Sequence, residues 1–262
     1  MGNKVSVLLT GHSLTSEKSH SDLIKNLNSI VLCLDQTTRD IERFCTRLAP
    51  GNYFSPLAAD DTYNIAEHYL VQTVYENLAV LRRDSLTSPW FPGPVSFVRN
   101  VAEDDHRILW QAAKRSRNSL LDLRVIGTDD DKAIYKAILG ECGPLTHHIL
   151  GLEHMKKNIK DKLLDLKFPT SQIKKILDDI FIDLYESTSE KDYEDKLVPI
   201  KEKWLEIENR FTRTDPPEQF VTYFENNKHN SIKHKMTKFI RERVNIRGDY
   251  WQNPVEWANH VI

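Results

Sequence analysis

Three consecutive carboxylates, Asp129-Asp130-Asp131, end the short apolar run Leu123-Arg124-Val125-Ile126-Gly127-Thr128. A helix-like segment over residues 133–139 follows at once. Carboxylates at the carboxyl end of a buried strand lie in the crevice where open α/β sheets bind ligands. Adjacent negative charges repel one another, and a hard divalent cation such as Mg²⁺ relieves that repulsion. The same residues also suit an acidic helix N-terminus, where Asp is favourable without any ligand. A second acidic pair, Asp60-Asp61, follows the apolar approach Pro56-Leu57-Ala58-Ala59 and would end or interrupt a central strand. Two strands side by side would bring Asp60 and Asp129 together across 69 positions (129 − 60). Mg²⁺ takes few protein ligands, so one further carboxylate could complete a site. Glu256 is the candidate, in an aromatic and amide-rich segment where Asn253 can cap a helix and Pro254 can start it. Its other reading is a partner for the macrodipole of that helix.

The elements that must position these groups can be read from periodicity. Residues 69–75 are rich in β-branched and aromatic types and read as a strand. A turn over residues 82–88 leads to a second strand whose prolines, Pro92 and Pro94, place its start at an edge or before the strand proper. Residues 103–116 read as a helix, 123–128 as a strand, 131–139 as a helix and 147–152 as a strand. That order suits a mixed α/β sheet. After His154 the pattern becomes helical. Ile173, Ile176, Leu177, Ile180, Phe181 and Leu184 form one apolar stripe, and Tyr193, Leu197, Ile200, Trp204 and Ile207 form the next. Ser187 with Glu190 offers a capping box between them. The division read from these patterns is a polar, helical extension over 1–50, a mixed α/β core over 51–155, an all-helical block over 156–248 and a final segment over 249–262.

At 262 residues and 40% hydrophobic, the chain can bury a sizeable core. A net charge of −2 excludes a globally basic nucleic-acid binder but not local basic faces. Cys33, Cys45 and Cys142 are odd in number and widely spaced, which argues against a disulfide framework and for a reducing, intracellular setting. No apolar run approaches the roughly 18 residues that span a bilayer, and the N-terminal residues lack a signal-peptide pattern. No nucleophile elbow, P-loop or G-x-G-x-x-G occurs, so no organic cofactor is expected.

The ordered set Asp60-x-Thr62-Tyr63, Gly127-Thr128-Asp129, a histidine, a helical block and Asn253-x-x-Glu256-x-x-Asn259 resembles the MULE (Mutator-like) transposase domain. The resemblance runs from about residue 53 to 262. It implies an α/β, RNase H-like mixed sheet with flanking helices and a large all-helical insertion before the last catalytic helix. The catalytic core would then be 51–155, the insertion 156–248 and the start of the final core helix 249–262. It further implies Asp60, Asp129 and Glu256 as a catalytic and metal-binding triad for Mg²⁺ or Mn²⁺, DNA as substrate and a nuclear location. The expected activity is DNA strand cleavage and transfer by two-metal chemistry in an element-derived protein. The segment His154–Lys160 is similar to the stretch after the family's [CD]-x-x-H element, although Gly151 stands where that Cys or Asp would be. Asp130 replaces the usual Gly after the second Asp, and Trp257 stands where Ser is common.

DNA would need a basic surface. Lys156, Lys157 and Lys160 open one stretch, and Lys233, Lys235, Lys238, Arg241 and Arg243 form a denser one. Such residues give salt-dependent, sequence-independent binding, or else a solvated helix face. His147, His148 and His154 lack the cysteines of a closed zinc site and read as strand histidines. The rival readings are a catalytically inactive, domesticated DNA-binding or chromatin-associated protein and a helical interaction module. Self-association remains open.

Overall fold

The structure, a computed structural model, describes residues 5–11, 27–51, 53–65, 68–143, 145–211 and 220–246. Side chains are described for these except residues 5–11, 27–28, 62–65, 119, 121 and 211. The described chain divides between His148 and Ile149 into two compact units.

The first unit is built on a mixed sheet. Its strands are β1 (Val5–Gly11), β2 (Leu27–Leu34), β3 (Leu57–Ile65), β4 (His68–Glu76), β5 (Trp90–Val98), β6 (Val125–Thr128) and β7 (His147–Leu150). The unit boundary falls within β7. The strand order is β1-β2-β5-β4-β3-β6-β7. Pairing is antiparallel from β1 through β3, and β3 pairs with β6 in parallel. Among the described residues three helices accompany the sheet: α1 (Asp35–Cys45), α2 (Glu103–Ser116) and α3 (Lys132–Cys142). A 3₁₀ turn over Asn118–Asp122 leads into β6.

One face of the sheet carries the main core of this unit. Leu57, Ala59, Tyr75 and Ile126 pack with Ile41 and Phe44 of α1, Trp110 and Ala113 of α2, and Ile134 and Ile138 of α3. Because strand side chains alternate, Ala58 and Val74 face the other side, where they pack with Trp90. The prolines of β5 explain themselves by coverage. β2 pairs only with Val95–Val98, so Pro92 lies where β5 has β4 alone beside it. The described residues among the first fifty differ from a polar, helical extension. They contribute β1, β2 and α1 to the sheet unit, because the apolar run in β2 pairs with β1 on one side and β5 on the other.

The second unit is helical: α4 (Leu152–Asp165), α5 (Thr170–Asp178), α6 (Glu190–Phe211), α7 (Phe220–Asn227), α8 (His229–Lys235) and α9 (Lys238–Arg243). A π-helical stretch over Asp179–Leu184 continues α5. Both apolar stripes enter one core, with Trp204 at 0% exposure packed edge-on against Phe220 and Phe224. Asp179 accepts from Trp204 Nε1 at 2.9 Å and from Lys203 Nζ at 2.6 Å. The capping arrangement before α6 lies two residues later than Ser187 and Glu190. Ser189 Oγ accepts from Asp192 N (3.0 Å), and Asp192 Oδ2 accepts from Thr188 N (2.8 Å). Ser187 is instead wholly buried, its hydroxyl turned to the Asp183 carbonyl, so it cannot cap. No helix among the described residues is long and apolar enough to cross a membrane.

Candidate functional site

The parallel pairing of β3 with β6 has a register of Leu57 to Ile126 and Ala58 to Gly127, an offset of 69 (126 − 57; 127 − 58). Asp60 and Asp129 differ by the same 69 positions (129 − 60). Continued two residues, the register sets these two carboxylates level on adjacent strands, on the sheet face that Ala58 and Gly127 share. β6 is short and fully buried, and its backbone gives out at Thr128, so Asp129 begins the loop at the carboxyl end of the strand.

Local hydrogen bonds hold both side chains. Asp60, 7% exposed, accepts the Asp61 N–H at Oδ1 (2.9 Å). Asp129 accepts the Asp131 N–H at Oδ1 (3.0 Å). Across β4 the residue opposite Asp60 is the buried Gln72. Asp131 plays a different part. As the N-cap of α3 it accepts from Ala133 N at 2.5 Å and Ile134 N at 3.4 Å. The acidic helix start and the carboxylate site are thus both present in Asp129-Asp130-Asp131, on different residues.

A cluster around Thr128 fixes the end of β6. The Thr128 hydroxyl lies 2.8 Å from His148 Nε2 and donates to the Asp129 carbonyl at 2.5 Å. The His148 ring stacks on Tyr135 of α3, with centroids 4.1 Å apart and planes 17° from parallel. His148 therefore braces β6, β7 and α3 against one another. His147 is exposed, and its N–H donates to the Arg124 carbonyl.

Asp61 is the residue that sequence reasoning passed over. It faces the helix-covered side, opposite Asp60, and its Oδ2 lies 3.4 Å from Nε2 of His106 on α2. His106 is 0% exposed. Burial, followed by the charges of Asp60, Asp131 and Asp129, pushes the Asp61 carboxyl up to about 8. Burial also holds the His106 ring below its ordinary value. Both shifts favour the neutral forms, so near neutral pH this is a contact between uncharged groups rather than an ion pair. The only signal in the sequence was strand alternation, which sends two successive Asp residues to opposite faces.

Asp60 and Asp129 are thus brought level, whereas Glu256 lies outside the described residues. Among the described residues no group of three His, Cys, Asp or Glu side chains is arranged to hold a metal ion. Two neighbouring carboxylates fit a hard divalent cation in kind, since such ions take carboxylate oxygens and retain water.

All the basic candidates lie in the second unit. Lys157, Lys160 and Arg243 are exposed. Lys156 is half-buried, 3.4 Å from Glu153 and above the Phe181 ring. Lys235 and Lys238 are half-buried. Lys233 is buried, with Nζ 2.7 Å from both Glu190 and Glu194. Arg241 is buried over the Tyr185 ring and pairs with Glu186 at 2.6 Å. The last two carry their charge into the unit's own ion pairs, which leaves Lys157, Lys160 and Arg243 as the outward cations of the set. Cys33, Cys45 and Cys142 are separate, buried thiols; burial pushes Cys33 up to about 11 and Cys142 up to about 12, so none is a ready thiolate.

Compared with protein-family models and with curated proteins, the chain matches none of them.

Proposed function

We propose that this protein is a DDE-type, transposase-like nuclease with an RNase H-like core, derived from a MULE-type element, that cleaves and transfers DNA strands. One observation carries the reading: the parallel β3–β6 register, extended two residues beyond its last pair, sets Asp60 within β3 level with Asp129 in the loop that follows β6. Such a pair is of little use to stability, because like charges at strand spacing repel. It is what a phosphodiester-cleaving centre needs.

Asp60 and Asp129 would hold the divalent ions, with Glu256 completing the set. When bound, Mg²⁺ or Mn²⁺ would supply activation of a water or 3′-hydroxyl and charge stabilisation at the leaving oxygen of a DNA phosphodiester. The chain's own residues prepare for this by fixing carboxylate orientation. The backbone N–H groups of Asp61 and Asp131 each hold one oxygen of Asp60 and Asp129. Thr128, His148 and Tyr135 brace the strand end from which Asp129 projects. Lys157, Lys160 and Arg243 would meet DNA phosphates, with a nuclear location following from such a substrate.

The test is nicking of supercoiled plasmid DNA in Mg²⁺ or Mn²⁺. Asp129→Asn is expected to abolish nicking, leave the circular dichroism spectrum unchanged and remove the rise in melting temperature on adding divalent ion. Nicking that survives the substitution undiminished sinks the assignment. The second reading, DNA binding without chemistry, draws support from Gly151 in place of the family's Cys or Asp. Salt-dependent DNA binding with no response to divalent ions would select it.

A further inference from the structure

The loop between β4 and β5 carries the sequence Leu81-Arg82-Arg83-Asp84-Ser85-Leu86-Thr87, and every residue of it is exposed. Leu81 is 63% and Leu86 73% exposed, so two large aliphatic side chains flank the serine without entering any core. Two guanidiniums precede the Ser85 hydroxyl by three and two positions. Among the described residues neither Arg82 nor Arg83 makes a close ion pair, although the Arg82 charge reaches the Glu76 carboxylate. Asp84 lies between them and the serine, yet its Oδ1 is turned inward to accept the Ser85 N–H (2.8 Å). The loop stands where β3 and β6 begin, at the end of the sheet away from Asp60 and Asp129.

From this arrangement we infer that Ser85 is a phosphorylation site for an arginine-directed serine/threonine protein kinase. Kinases select substrates by charge pattern. An acidic substrate groove would take the Arg82 and Arg83 guanidiniums as charge-assisted hydrogen-bond donors, and an apolar recess would take Leu86. The Ser85 Oγ attacks the γ-phosphorus of ATP and forms the new O–P bond. The bond to the ADP oxygen breaks, and the hydroxyl proton passes to the kinase's catalytic Asp.

The loop geometry suits entry into an extended groove. The turn is closed by two backbone bonds, Arg82 N to Thr87 O (2.8 Å) and Leu86 N to Arg82 O (3.0 Å). Leu86 closes it at a φ of 54°, a left-handed conformation unfavourable for a side chain of this kind. Opening the turn releases that strain and breaks no core contact, only those backbone bonds and the 2.8 Å hydroxyl contact between Ser85 and Thr87, which frees the Ser85 Oγ. Once attached, the phosphate would bring about two negative charges beside Arg82, Arg83 and Asp84, turning a net positive loop into a net negative one. The site is independent of the carboxylate centre.

The experiment incubates the intact protein with ATP and the catalytic subunit of an arginine-directed kinase, then locates phosphate by mass spectrometry. One phosphate on Ser85 is expected, absent in Ser85→Ala. Arg82→Ala and Arg83→Ala should each lower the rate about tenfold or more, since each removes a charge-assisted bond to the kinase. Phosphate on other residues with Ser85 unmodified overturns the inference. So does labelling of Ser85 only after the protein is unfolded, or labelling that ignores both arginine substitutions. These are exposed loop positions, so the variants retain the fold, which circular dichroism checks.

Discussion

Some buried polar side chains here are held by specific partners, and their removal has a calculable cost. Asp179 is 7% exposed and receives both the Trp204 indole N–H and the Lys203 ammonium. Asp179→Ala leaves the indole donor unsatisfied in the core, so unfolding in urea should show a loss of about 2–3 kcal/mol. Asp179→Asn keeps an acceptor and should lose less. Asp61 illustrates a different balance. Its carboxyl is buried among three other carboxylates and is pushed up to about 8, with Oδ1 lacking a hydrogen-bond partner. Individual residues such as these were poorly visible in the sequence. Asp179 reads as one more charge on an amphipathic helix, and Asp61 as the twin of Asp60. Facing direction and burial set their roles, and both arise only when the elements pack.

Among the elements, the turn joining α4 to α5 ends a helix without the usual glycine. Lys167 adopts a φ of 62°, while Phe168 N donates to the Leu163 carbonyl at 3.1 Å, closing the helix end. Glycine reaches this conformation without steric cost. Lys167→Gly is therefore expected to stabilise the second unit by about 1 kcal/mol, seen as a higher denaturation midpoint with unchanged slope. In β5 the glycine is required: a Cβ on Gly93 would collide with Thr73 Oγ1, whose hydroxyl donates to the Pro94 carbonyl. Helix α2 was legible to the residue because its apolar positions repeat at helical spacing and Asp and Glu mark its start. β1 and β2 were not, since a short apolar run between polar stretches becomes a strand only when a neighbour pairs with it.

Across the molecule, two units carry separate cores, and pH reaches them through different groups. In the second unit His229 is held below its ordinary value of 6.5, chiefly by burial and against the pull of Glu194, whose Oε1 is 4.0 Å from Nε2. Tyr193 OH lies 3.4 Å from its Nδ1, and Lys233 and His234 add positive charge nearby. The unfolded chain then binds a proton more readily than the folded one. The stability contributed by neutral His229 is present above about pH 6.5 and is lost as pH falls through the folded value. Hydrogen-exchange protection, corrected for the intrinsic rate at each pH, should fall across helices α6 to α8 below about pH 6.5, and His229→Gln should flatten that response. A profile identical in the variant would show that other groups govern it.

Residue spacing alone settles the class of several middle and late elements, with strand periodicity over 69–75 and helical stripes over 173–184 and 193–207, whereas Asp60-Asp61, expected to end or interrupt a strand, lies inside β3. Those signals are local, written in spacings of two and of three to four residues. It takes the folded chain to pair β3 with β6 in parallel at an offset of 69, the same offset that separates Asp60 from Asp129. Folding likewise turns Lys233 and Arg241 into internal ion pairs while Lys157 and Arg243 face outward. Pairing register and side-chain burial depend on partners far away in the chain, and no local pattern of residue types encodes them.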